Sequence, residues 1–418
     1  MNLILVSAYF PPEVGSASHL YYELGTELVK RGHKVTILTG FPSYNIDKRS
    51  LPAKYHSGLW LRERVNGMEV IRMRTIGMPR QIPVLRGLGQ VTLALALCFS
   101  GLFLTRGKFD AVLVYSPPLF LGWTALVLRR WKRTKAILNV QDLFPQSAID
   151  LGVLRSGTLI RWFRRIEAYL YRKSDLVIVH SEGNREHVLS CGGEDSRVTI
   201  VPNLVDTKSV APGERDNQFR HRANIASKEY VVSFAGVIGL SQDVDTIIDA
   251  AVLLRQQTDI VFYIVGDGLE KPRLMERAKG MDNVRFMPML PKEEYIELLH
   301  ASDICLATLR KEVKTPVVPS KIMSIMAAGR PLVAALPLHG DAPKIVEASH
   351  CGFCVEPENA TALANAIQTI YQHPKLAADF QRSGRRYVEQ HFSLEVCTAL
   401  IEQAFKRVLT EHNEGKEK

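Results

Sequence analysis

The sequence predicts an α/β protein of two doubly wound domains, each a largely parallel sheet with helices on both faces. A chain of 418 residues is too long for one compact core and suggests two domains of about 200 residues each. Aliphatic strand patterns alternate with amphipathic helix patterns, which is typical of βαβ units. A polar stretch over residues 206–228 separates two such alternating series.

The first series occupies residues 1–205. It opens with a strand pattern, LILVSAY, which an amphipathic helix from about Ser18 to Arg31 follows. Further apolar stretches predict strands at KVTILTG, MEVIRMR, FDAVLVYS, KAILNVQD, SDLVIVHS and VTIVPN. Strands that alternate with helices form parallel sheets covered on both faces. We therefore expect residues 1–205 to form one Rossmann-like domain.

Residues 206–228 are polar and poor in aliphatic side chains, and we expect a linker there. The second series follows over residues 229–395, with strand patterns YVVSFAG, IVFYIVGDG, VRFMPML, DICLATL, PLVAAL and GFCVEP. Residues 396–418 are expected to form a C-terminal helix and tail. Two doubly wound domains bind ligands at the carboxyl ends of their strands, in a cleft.

The composition bounds the class of protein. The six cysteines show no disulfide pattern, so a reducing cytoplasm is expected. Cys351 and Cys354 have the spacing of half a zinc site, but no second pair completes it. The first residues, MNLILVSAYFPP, carry no positively charged leader, and we expect no signal peptide.

Positive charge is concentrated in the first half of the chain. Residues 1–205 hold 27 Lys and Arg against 15 Asp and Glu, whereas the remainder holds 26 against 28. This asymmetry indicates a polyanion beside the first domain. No nucleic-acid-binding signature accompanies the charge, so we expect no nucleic acid and favour an anionic membrane surface.

Two features of the first half bear on the membrane. The basic clusters RRWKRTK (129–135) and RWFRR (161–165) mix cations with aromatic residues, although a solvated basic face gives the same pattern. Residues 87–105 are uncharged and approach the ~20 residues that span a bilayer. They predict a buried helix that covers the sheet, a helix dipped into a membrane surface, or a transmembrane helix.

The first domain offers two candidate loops. Gly15, Ser16 and neighbouring small residues lie between a strand and a helix, where a ligand could approach the backbone N–H groups. The alternative is a plain loop with Ser18 as helix N-cap. Gln141 and Asp142 end a strand, and this acid could bind a hydroxyl, accept a proton, or cap the next turn.

The second domain begins with a glycine-containing loop. Gly236 and Gly239 follow a strand, and a helix is predicted to start near Asp243. Asp243 and Asp245 have the Asp-x-Asp spacing of a metal site. Acidic residues at a helix start also cap N–H groups and suit the helix dipole, and we favour that interpretation.

Two more loops lie farther along the second domain. The strand IVFYIV ends at Gly266, Asp267 and Gly268, where a flat base could lie against the backbone, although a tight turn has the same composition. Pro319 and Ser320 precede a short helix that starts at Lys321. The helix end and the lysine could bind a phosphate, or the segment could be a connector.

Taken together, these stretches resemble glycosyltransferase family 4, the retaining sugar-nucleotide enzymes with the two-domain GT-B fold. The similarity covers nearly the whole chain. It rests on the order of YFPPEVGSAS, GHKVTILTGFPSY, DLFP, VPNLVD, FAGVIGLSQ, IVGDG, NVRFMP, ASDICLATL, VPSKIMSIMAAGRPLVA and GFCVEP. The PSK…MAAGRP form is similar to the branch that builds O-antigen, capsule and exopolysaccharide chains.

The resemblance implies a fold and a donor site. The first domain faces the acceptor, the second binds the nucleotide sugar, and the C-terminal helix packs back on the first. The base lies near Gly266–Gly268 and Met287–Met289, and the pyrophosphate near Gly236–Gln242 and Pro319–Lys321. The expected donor-binding residues are Gly236, Gly239, Gln242, Gly266, Asp267, Gly268, Met287, Pro319, Ser320, Lys321 and Ser324.

The resemblance also implies a mechanism. The acceptor attacks from the front face, and the leaving phosphate helps to deprotonate its hydroxyl while the protein stabilises that phosphate and positions both sugars. The expected catalytic residues are Asp142, Gln141, Gly15 and Ser16. The family uses no Asp-x-Asp metal, so neither a metal nor another cofactor is expected.

Three parts of the chain depart from the family pattern. Val237 and Gln242 replace an Arg and a Lys that many members carry on the pyrophosphate loop. Pro316 and Ser324 replace two glutamates, the second of which touches the ribose in many members. Gln141 replaces a histidine that often precedes the motif aspartate.

The expected function is transfer of a hexose, N-acetylhexosamine or deoxysugar from a UDP-type donor to a polyprenyl-diphosphate-linked saccharide, in O-antigen, capsule or lipopolysaccharide synthesis. The enzyme would lie peripherally on the cytoplasmic face of the cell membrane. The alternatives are a non-hydrolysing UDP-N-acetylglucosamine 2-epimerase, which shares the fold, and a catalytically silent subunit that binds nucleotide sugars.

Overall fold

The structure is a computed structural model that describes residues 1–13, 15–43, 46, 49, 51–76 and 83–414. The chain forms two compact units, as the alternating pattern predicted. The first unit comprises Met1–Ile149, Leu154–Leu204 and Leu394–Lys418, and the second comprises Asp150–Val153 and Val205–Ser393.

Each unit is built on one sheet in the part of the chain described. The first sheet contains β1 (Asn2–Val6), β2 (Lys34–Gly40), β3 (Trp60–Val65), β4 (Met68–Met73), β5 (Ala111–Ser116), β6 (Lys135–Val140), β7 (Leu176–Val179) and β8 (Val198–Ile200). The second contains β9 (Tyr230–Ala235), β10 (Ile260–Val265), β11 (Val284–Met287), β12 (Ile304–Thr308), β13 (Leu332–Ala335) and β14 (Gly352–Val355).

Helices connect the strands in both units. The first unit contains α1 (Ser16–Lys30), α2 (Pro83–Phe99), α3 (Gly122–Lys132), α4 (Gln146–Asp150), α5 (Gly157–Lys173) and α6 (Glu182–Ser190). The second contains α7 (Gln218–Arg222), α8 (Val244–Leu253), α9 (Lys271–Arg277), α10 (Lys292–Ala301), α11 (Lys321–Ala327), α12 (Asp341–Ser349), α13 (Ala360–Gln372) and α14 (Pro374–His391). The last helix, α15 (Leu394–Glu414), returns to the first unit.

The first sheet has the strand order β3-β4-β2-β1-β5-β6-β7-β8. Neighbouring strands pair in parallel except β3 and β4, which form an antiparallel hairpin. The strand β3 is absent from the sequence prediction. Its residues alternate between exposed and partly buried, because it is an edge strand that packs one face only. The charged sequence WLRERV therefore resembles a surface loop more than a buried strand.

Apolar cores lie on both faces of the first sheet. On one face, α2, α3 and α5 contribute buried side chains such as Leu93, Leu128 and Leu170. On the other, α1 contributes Leu24, and α15 contributes Phe405. The prediction that the C-terminal helix packs back on the first domain is confirmed.

Polar contacts also join α15 to the first unit. The Arg31 guanidinium donates to Glu402 Oε2 at 2.9 Å and to the carbonyl oxygen of Glu395 at 2.8 Å. His33 Nε2 lies against the other oxygen of Glu402. The last helix, α15, is thus an integral part of the first unit.

The uncharged stretch over residues 87–105 forms most of α2 and continues as a π-helical turn at Ser100–Leu104. Gly87–Leu104 is long and apolar enough to cross a membrane, and 33% of it is buried within the protein. Leu93 and Leu97 are buried against the sheet, whereas Leu95 is 65% exposed and Phe103 is 70% exposed. The helix therefore covers the sheet with one face and presents an apolar second face.

Residues 206–228, expected to be a linker, pack on the second unit instead. Phe219 and Arg220 of α7 are both buried. The Arg220 guanidinium donates to the carbonyl oxygens of Ala301 at 3.2 Å and Glu229 at 2.8 Å. The polar composition misled the prediction because it includes a buried arginine that backbone carbonyls satisfy.

Candidate active site

The second sheet has the order β11-β10-β9-β12-β13-β14, with all neighbours parallel. The direction of winding reverses between β9 and β12. In doubly wound sheets this switch point is where loops diverge and ligands bind. The Gly236–Gln242 loop follows β9 at this point, and the backbone N–H of Arg310, just after β12, donates to Ser241 in it at 3.0 Å.

The glycines after β9 and β10 hold two loops in backbone contact. Gly236 N–H donates to Val265 at 3.0 Å, and Ile238 N–H donates to Asp267 at 3.0 Å. A Cβ on Gly268 would lie 2.0 Å from the carbonyl oxygen of Ile238, and one on Gly266 would be still closer to Gly236. These positions admit only glycine. Their first role is close packing of the two loops.

Lys321 is brought to this pair of loops. Its Nζ donates to Gln242 Oε1 at 3.2 Å and lies 3.8 Å from the centroid of the Phe234 ring. A Cβ on Gly236 would stand 3.1 Å from the same nitrogen. Desolvation lowers the pKa of Lys321 to about 7. No carboxylate among the described residues forms an ion pair with this amine.

The segment that precedes Lys321 is a turn followed by a short helix. The carbonyl oxygen of Pro319 accepts from Ile322 N–H at 3.0 Å, and Ser320 occupies the N-cap position of α11. Because α11 has seven residues, the lysine side chain provides the main positive charge here. Ser324, one turn later, contacts Tyr295 of α10.

Lys271 is a site residue that the sequence did not indicate. Its Nζ donates to the carbonyl oxygens of Gly266 at 2.7 Å and Met287 at 3.0 Å, and to Asp267 Oδ1 at 2.9 Å. Met289 N–H donates to the other oxygen of Asp267 at 3.1 Å. The Lys271 ammonium group thus joins Gly266–Gly268 and Met287–Met289, the two segments expected to flank a base. The only sign of this role in the sequence was the i,i+4 spacing of Lys271 from Asp267.

These contacts also shift the acidity of Asp267. Desolvation opposes ionisation, but the Lys271 ammonium and the Met289 N–H outweigh it and lower the pKa of Asp267. The carboxylate is therefore charged at neutral pH and is engaged in holding the loop.

The Asp-x-Asp pair has structural partners. Asp243 is buried and accepts from Thr246 N–H at 3.3 Å, as an N-cap, and from Glu358 N–H at 2.9 Å. Its predicted capping role is confirmed. Asp245 forms ion pairs with Arg273 at 2.6 Å, with Arg277, and with Arg310 at 3.3 Å. Arg273 most of all, and then Arg277, lower the pKa of Asp245.

In the first unit, Gly15 is the N-cap residue of α1, and its carbonyl oxygen accepts from His19 N–H at 3.1 Å. Ser18 lies within the helix, so the alternative in which it caps α1 is wrong. The backbone of Ser16 begins the helix, and its side chain lies outside the described part of the structure. Glu13, just before the loop, is buried and accepts from Ser43 N–H at 2.8 Å.

Asp142 follows β6 and is partly exposed. Ser147 Oγ donates to its Oδ2 at 3.3 Å, whereas burial raises its pKa above the ordinary value. Gln141 donates from Nε2 to Asn139 Oδ1 at 2.9 Å. A carboxyl group of raised pKa at a strand end can accept a proton or bind a hydroxyl group.

The structure therefore links most of the expected donor residues into one cluster of the second unit. Hydrogen bonds and close approaches connect Gly236, Gly239, Gln242, Gly266, Asp267, Gly268, Met287 and Lys321. Pro319 and Ser320 adjoin Lys321 in sequence, and Ser324 faces α10. The residues expected to act on the acceptor, Gly15, Ser16, Gln141 and Asp142, belong to the first unit.

Comparison with known families identifies both units. Residues 15–204 match the family described as "Glycosyl transferase 4-like domain". Residues 229–373 match the family described as "Glycosyl transferases group 1". Together the two matches cover most of the chain.

Individual proteins of similar length also match. WcaI of Escherichia coli K12, a glycosyl transferase named for colanic acid biosynthesis, is 24% identical over 90% of this chain and 93% of its own. Sucrose-phosphate synthase from Thermosynechococcus elongatus superposes with a TM-score of 0.74 at 17% identity, over 98% and 99% of the two chains. HepE of Anabaena, solved in complex with UDP-glucose, superposes with a TM-score of 0.71 at 17% identity, over 97% and 100%.

Proposed function

Because the chain belongs to the family 4-like glycosyltransferases of the GT-B fold, we propose that it is a retaining, metal-independent enzyme that uses a UDP-linked sugar. Its acceptor is a polyprenyl-diphosphate-linked saccharide in cell-surface polysaccharide synthesis. The donor diphosphate binds beside Lys321, and the base lies toward Gly266–Gly268 and Met287–Met289.

The observation that carries this proposal is the environment of Lys321. The amine is desolvated, has an amide oxygen and an aromatic ring as neighbours, and forms no carboxylate pair in the described structure. Removing a cation from water without a counter-charge costs free energy. A diphosphate beside Gly236 and Gln242 supplies that counter-charge, and in the reaction the same lysine stabilises the leaving phosphate.

The remaining steps follow from the chemistry of the site. Glycine backbones at Gly236 and Gly239 leave room for the diphosphate oxygens to approach the chain. The leaving phosphate takes the proton of the acceptor hydroxyl on the front face, so that the sugar keeps its anomeric configuration. Within the first unit, Asp142, with its raised pKa, binds a hydroxyl of the acceptor. The Asp243 carboxylate accepts hydrogen bonds from backbone N–H groups, and the Asp245 carboxylate pairs with arginines, which supports metal independence.

Named relatives support the substrate class. WcaI is named for the synthesis of a polysaccharide, and HepE was solved with UDP-glucose. From WcaI we infer a lipid-linked saccharide as the acceptor of this chain, and from HepE we infer a UDP-linked donor. The exposed surface of the first unit supports a lipid-linked acceptor.

The surface built by α2, α3 and α5, which we call the docking surface, suits an anionic membrane. The three helices lie side by side on one face of the first sheet. Trp123 stacks on Tyr169 at 5.2 Å between ring centroids, and Trp131 is 72% exposed. Its exposed aromatic and apolar side chains, with Phe103 of the π-helical turn that continues α2, are Leu85, Leu88, Leu95, Phe99, Phe103, Trp123, Trp131, Leu159, Trp162 and Tyr169.

Basic residues are interspersed on the docking surface. Arg130, Arg161 and Arg165 are exposed and form no ion pair with a described carboxylate. Each such cation contributes about 1 kcal/mol near an anionic lipid surface, and the exposed indole rings suit the headgroup region. We therefore propose a peripheral location on the cytoplasmic face of the cell membrane, where a lipid-linked acceptor is displayed.

Vesicle sedimentation tests this location. The protein should bind vesicles that contain phosphatidylglycerol and be released by salt, and the double variant W131A/W162A should bind at least ~10-fold more weakly, because two interfacial anchors are lost. A change of the exposed Leu253 of the second unit to Ala is the control and should leave binding unchanged. Equal binding by the double variant and the control would contradict the docking surface.

The catalytic proposal is tested with a panel of nucleotide sugars. A thermal-shift screen should show stabilisation by UDP and by one or a few UDP-sugars. The stabilising sugar nucleotide is then incubated with polyprenyl-diphosphate-linked saccharide, and UDP release and the anomeric configuration of the product are measured. An epimerised sugar nucleotide would indicate an epimerase. Binding without UDP release would indicate a silent subunit.

A further inference from the structure

A second cluster of reactive side chains lies in the first unit, away from the residues proposed for glycosyl transfer. Glu167 of α5 is fully buried, and His187 of α6 and Cys191 at the end of α6 are partly buried. The Glu167 Oε1–His187 Nε2 distance is 3.0 Å, His187 Nε2–Cys191 Sγ is 3.5 Å, and Cys191 Sγ–Glu167 Oε2 is 3.8 Å.

The two distances from His187 Nε2 are close to two edges of a tetrahedral metal site, and one oxygen of Glu167 lies within 4.8 Å of both other ligand atoms. Zn²⁺ binds nitrogen and carboxylate oxygen at about 2.0–2.1 Å and sulfur at about 2.3 Å, which places tetrahedral ligand atoms about 3.3–3.6 Å apart. Carboxylate, imidazole and thiolate are all established Zn²⁺ ligands. We propose that Glu167, His187 and Cys191 form a Zn²⁺ site that fastens α5 to α6.

The orientation of His187 separates this proposal from nucleophilic catalysis. A catalytic triad needs its imidazole to face the nucleophile with one nitrogen and the orienting acid with the other. Here the same nitrogen, Nε2, faces both the carboxylate and the sulfur. With the imidazole and the thiol protonated, Nε2–H donates to one oxygen of Glu167 and the Cys191 thiol donates to the other. Once both have lost these protons, the Nε2 lone pair can point at a metal ion that the carboxylate and the thiolate also bind.

The fourth coordination position is open to a cavity of about 560 Å³, lined by Gln146, Arg164, Ala168, His187, Ser190 and Cys191. A water molecule or the Gln146 side chain can complete the tetrahedron from this side. The spacing of His187 and Cys191, at i and i+4 on one helix face, fixes two ligands, and Glu167 comes from the adjacent helix.

Arg164 occupies the space beside the cluster in this structure. Its Nη1 lies 3.3 Å from Glu167 Oε2 and 3.6 Å from Cys191 Sγ, and its Nη2 donates to Gln146. A guanidinium so close opposes a second cation. The ion therefore displaces Arg164, and without the metal the arginine provides the positive charge that the buried carboxylate requires.

Metal titration of the full chain tests the site. Protein freed of metal by a chelator should bind one Zn²⁺ per chain, and Cys191→Ser should weaken binding at least 10-fold. Cys98→Ser is the matched control, because Cys98 is also partly buried but hydrogen-bonds to Thr124 and belongs to no group of three potential metal ligands among the described residues. It should bind as the wild type does.

Two further readouts distinguish metal ligation from a loss of folding. With Co²⁺, the wild type and Cys98→Ser should show a thiolate-to-cobalt charge-transfer absorption that Cys191→Ser lacks, while all three keep the same far-ultraviolet circular dichroism. Arg164→Gln should bind Zn²⁺ more tightly than the wild type. Persistence of the absorption in Cys191→Ser, or equal Zn²⁺ binding by Cys191→Ser and wild type, would overturn the proposal.

Discussion

Binding of UDP should take up a proton through Lys321. In the free protein the pKa of this amine is about 7, and a bound diphosphate should restore it toward the ordinary value of about 10.4. The amine therefore changes from mostly neutral to charged when UDP binds above neutral pH. At about pH 8 the expected uptake is about 0.9 proton per UDP, and it falls to about one half at pH 7.

The same linkage sets the pH dependence of affinity. Free protein must be protonated to bind tightly, so affinity is highest below pH 7 and falls as pH rises toward the pKa of the bound state. Between about pH 7.5 and 8.5 the dissociation constant of UDP should rise about 8-fold, or about 1.2 kcal/mol. The phosphate of UDP titrates near pH 6 and does not contribute in this range.

Calorimetry in two buffers of different ionisation enthalpy, at the same pH, measures the proton uptake. Lys321→Arg is the matched control because its guanidinium keeps a charge that does not titrate. This variant should bind UDP without proton uptake and with a flat pH profile. Uptake below about 0.2 proton by the wild type at pH 8, or equal uptake by both proteins, would refute the placement of the diphosphate beside Lys321.

Three other outcomes are expected. Near pH 6.5 and without ligand, Lys321→Met should have a free energy of unfolding higher than that of the wild type by on the order of a few kcal/mol, and therefore a higher melting temperature. The reason is that the lowered pKa of the Lys321 amine makes folding costly below the pKa that this amine has in the unfolded chain. A lower melting temperature would contradict the desolvated amine. Gly268→Ala should destabilise the second unit by about 1–3 kcal/mol in urea unfolding, whereas Gly239→Ala, whose Cβ would stand 3.6 Å from its nearest atom, should change little; equal effects would show that the loops do not pack this closely. Transferase activity of Cys191→Ser, which lacks the proposed zinc site, should survive EDTA, and a complete loss that Mn²⁺ restores would show a metal at the donor site.

The order of strands and helices could be predicted because burial of parallel strands leaves a strong local pattern. The cap at Asp243 was also predictable, since a helix N-terminus imposes its own chemistry within a few residues. The hairpin strand β3 was missed because one exposed face dilutes the apolar pattern. The packed segment around Arg220 was missed because backbone carbonyls satisfy its charge from positions distant in sequence.

The candidate site was predictable as a set of loops but not as a set of contacts. Lys321 was singled out by its place at the start of a helix. Its surroundings include Phe234 and Gln242, which the chain brings from another strand and loop. Lys271 reaches three oxygen atoms on two loops, and no spacing in the sequence reveals two of them. Which side chains meet across the fold depends on the tertiary structure, and local sequence patterns do not reveal it.

The return of α15 to the first unit has a consequence for biosynthesis. Cys397, Ile401 and Phe405 complete an apolar core whose other members are made hundreds of residues earlier. The amino-terminal domain therefore stays unfinished on the ribosome until the carboxyl-terminal domain has been translated, although domains usually fold in order of synthesis. A stop codon between residues 205 and 394 would consequently destabilise the domain that was translated first, because α15 would be missing from its core.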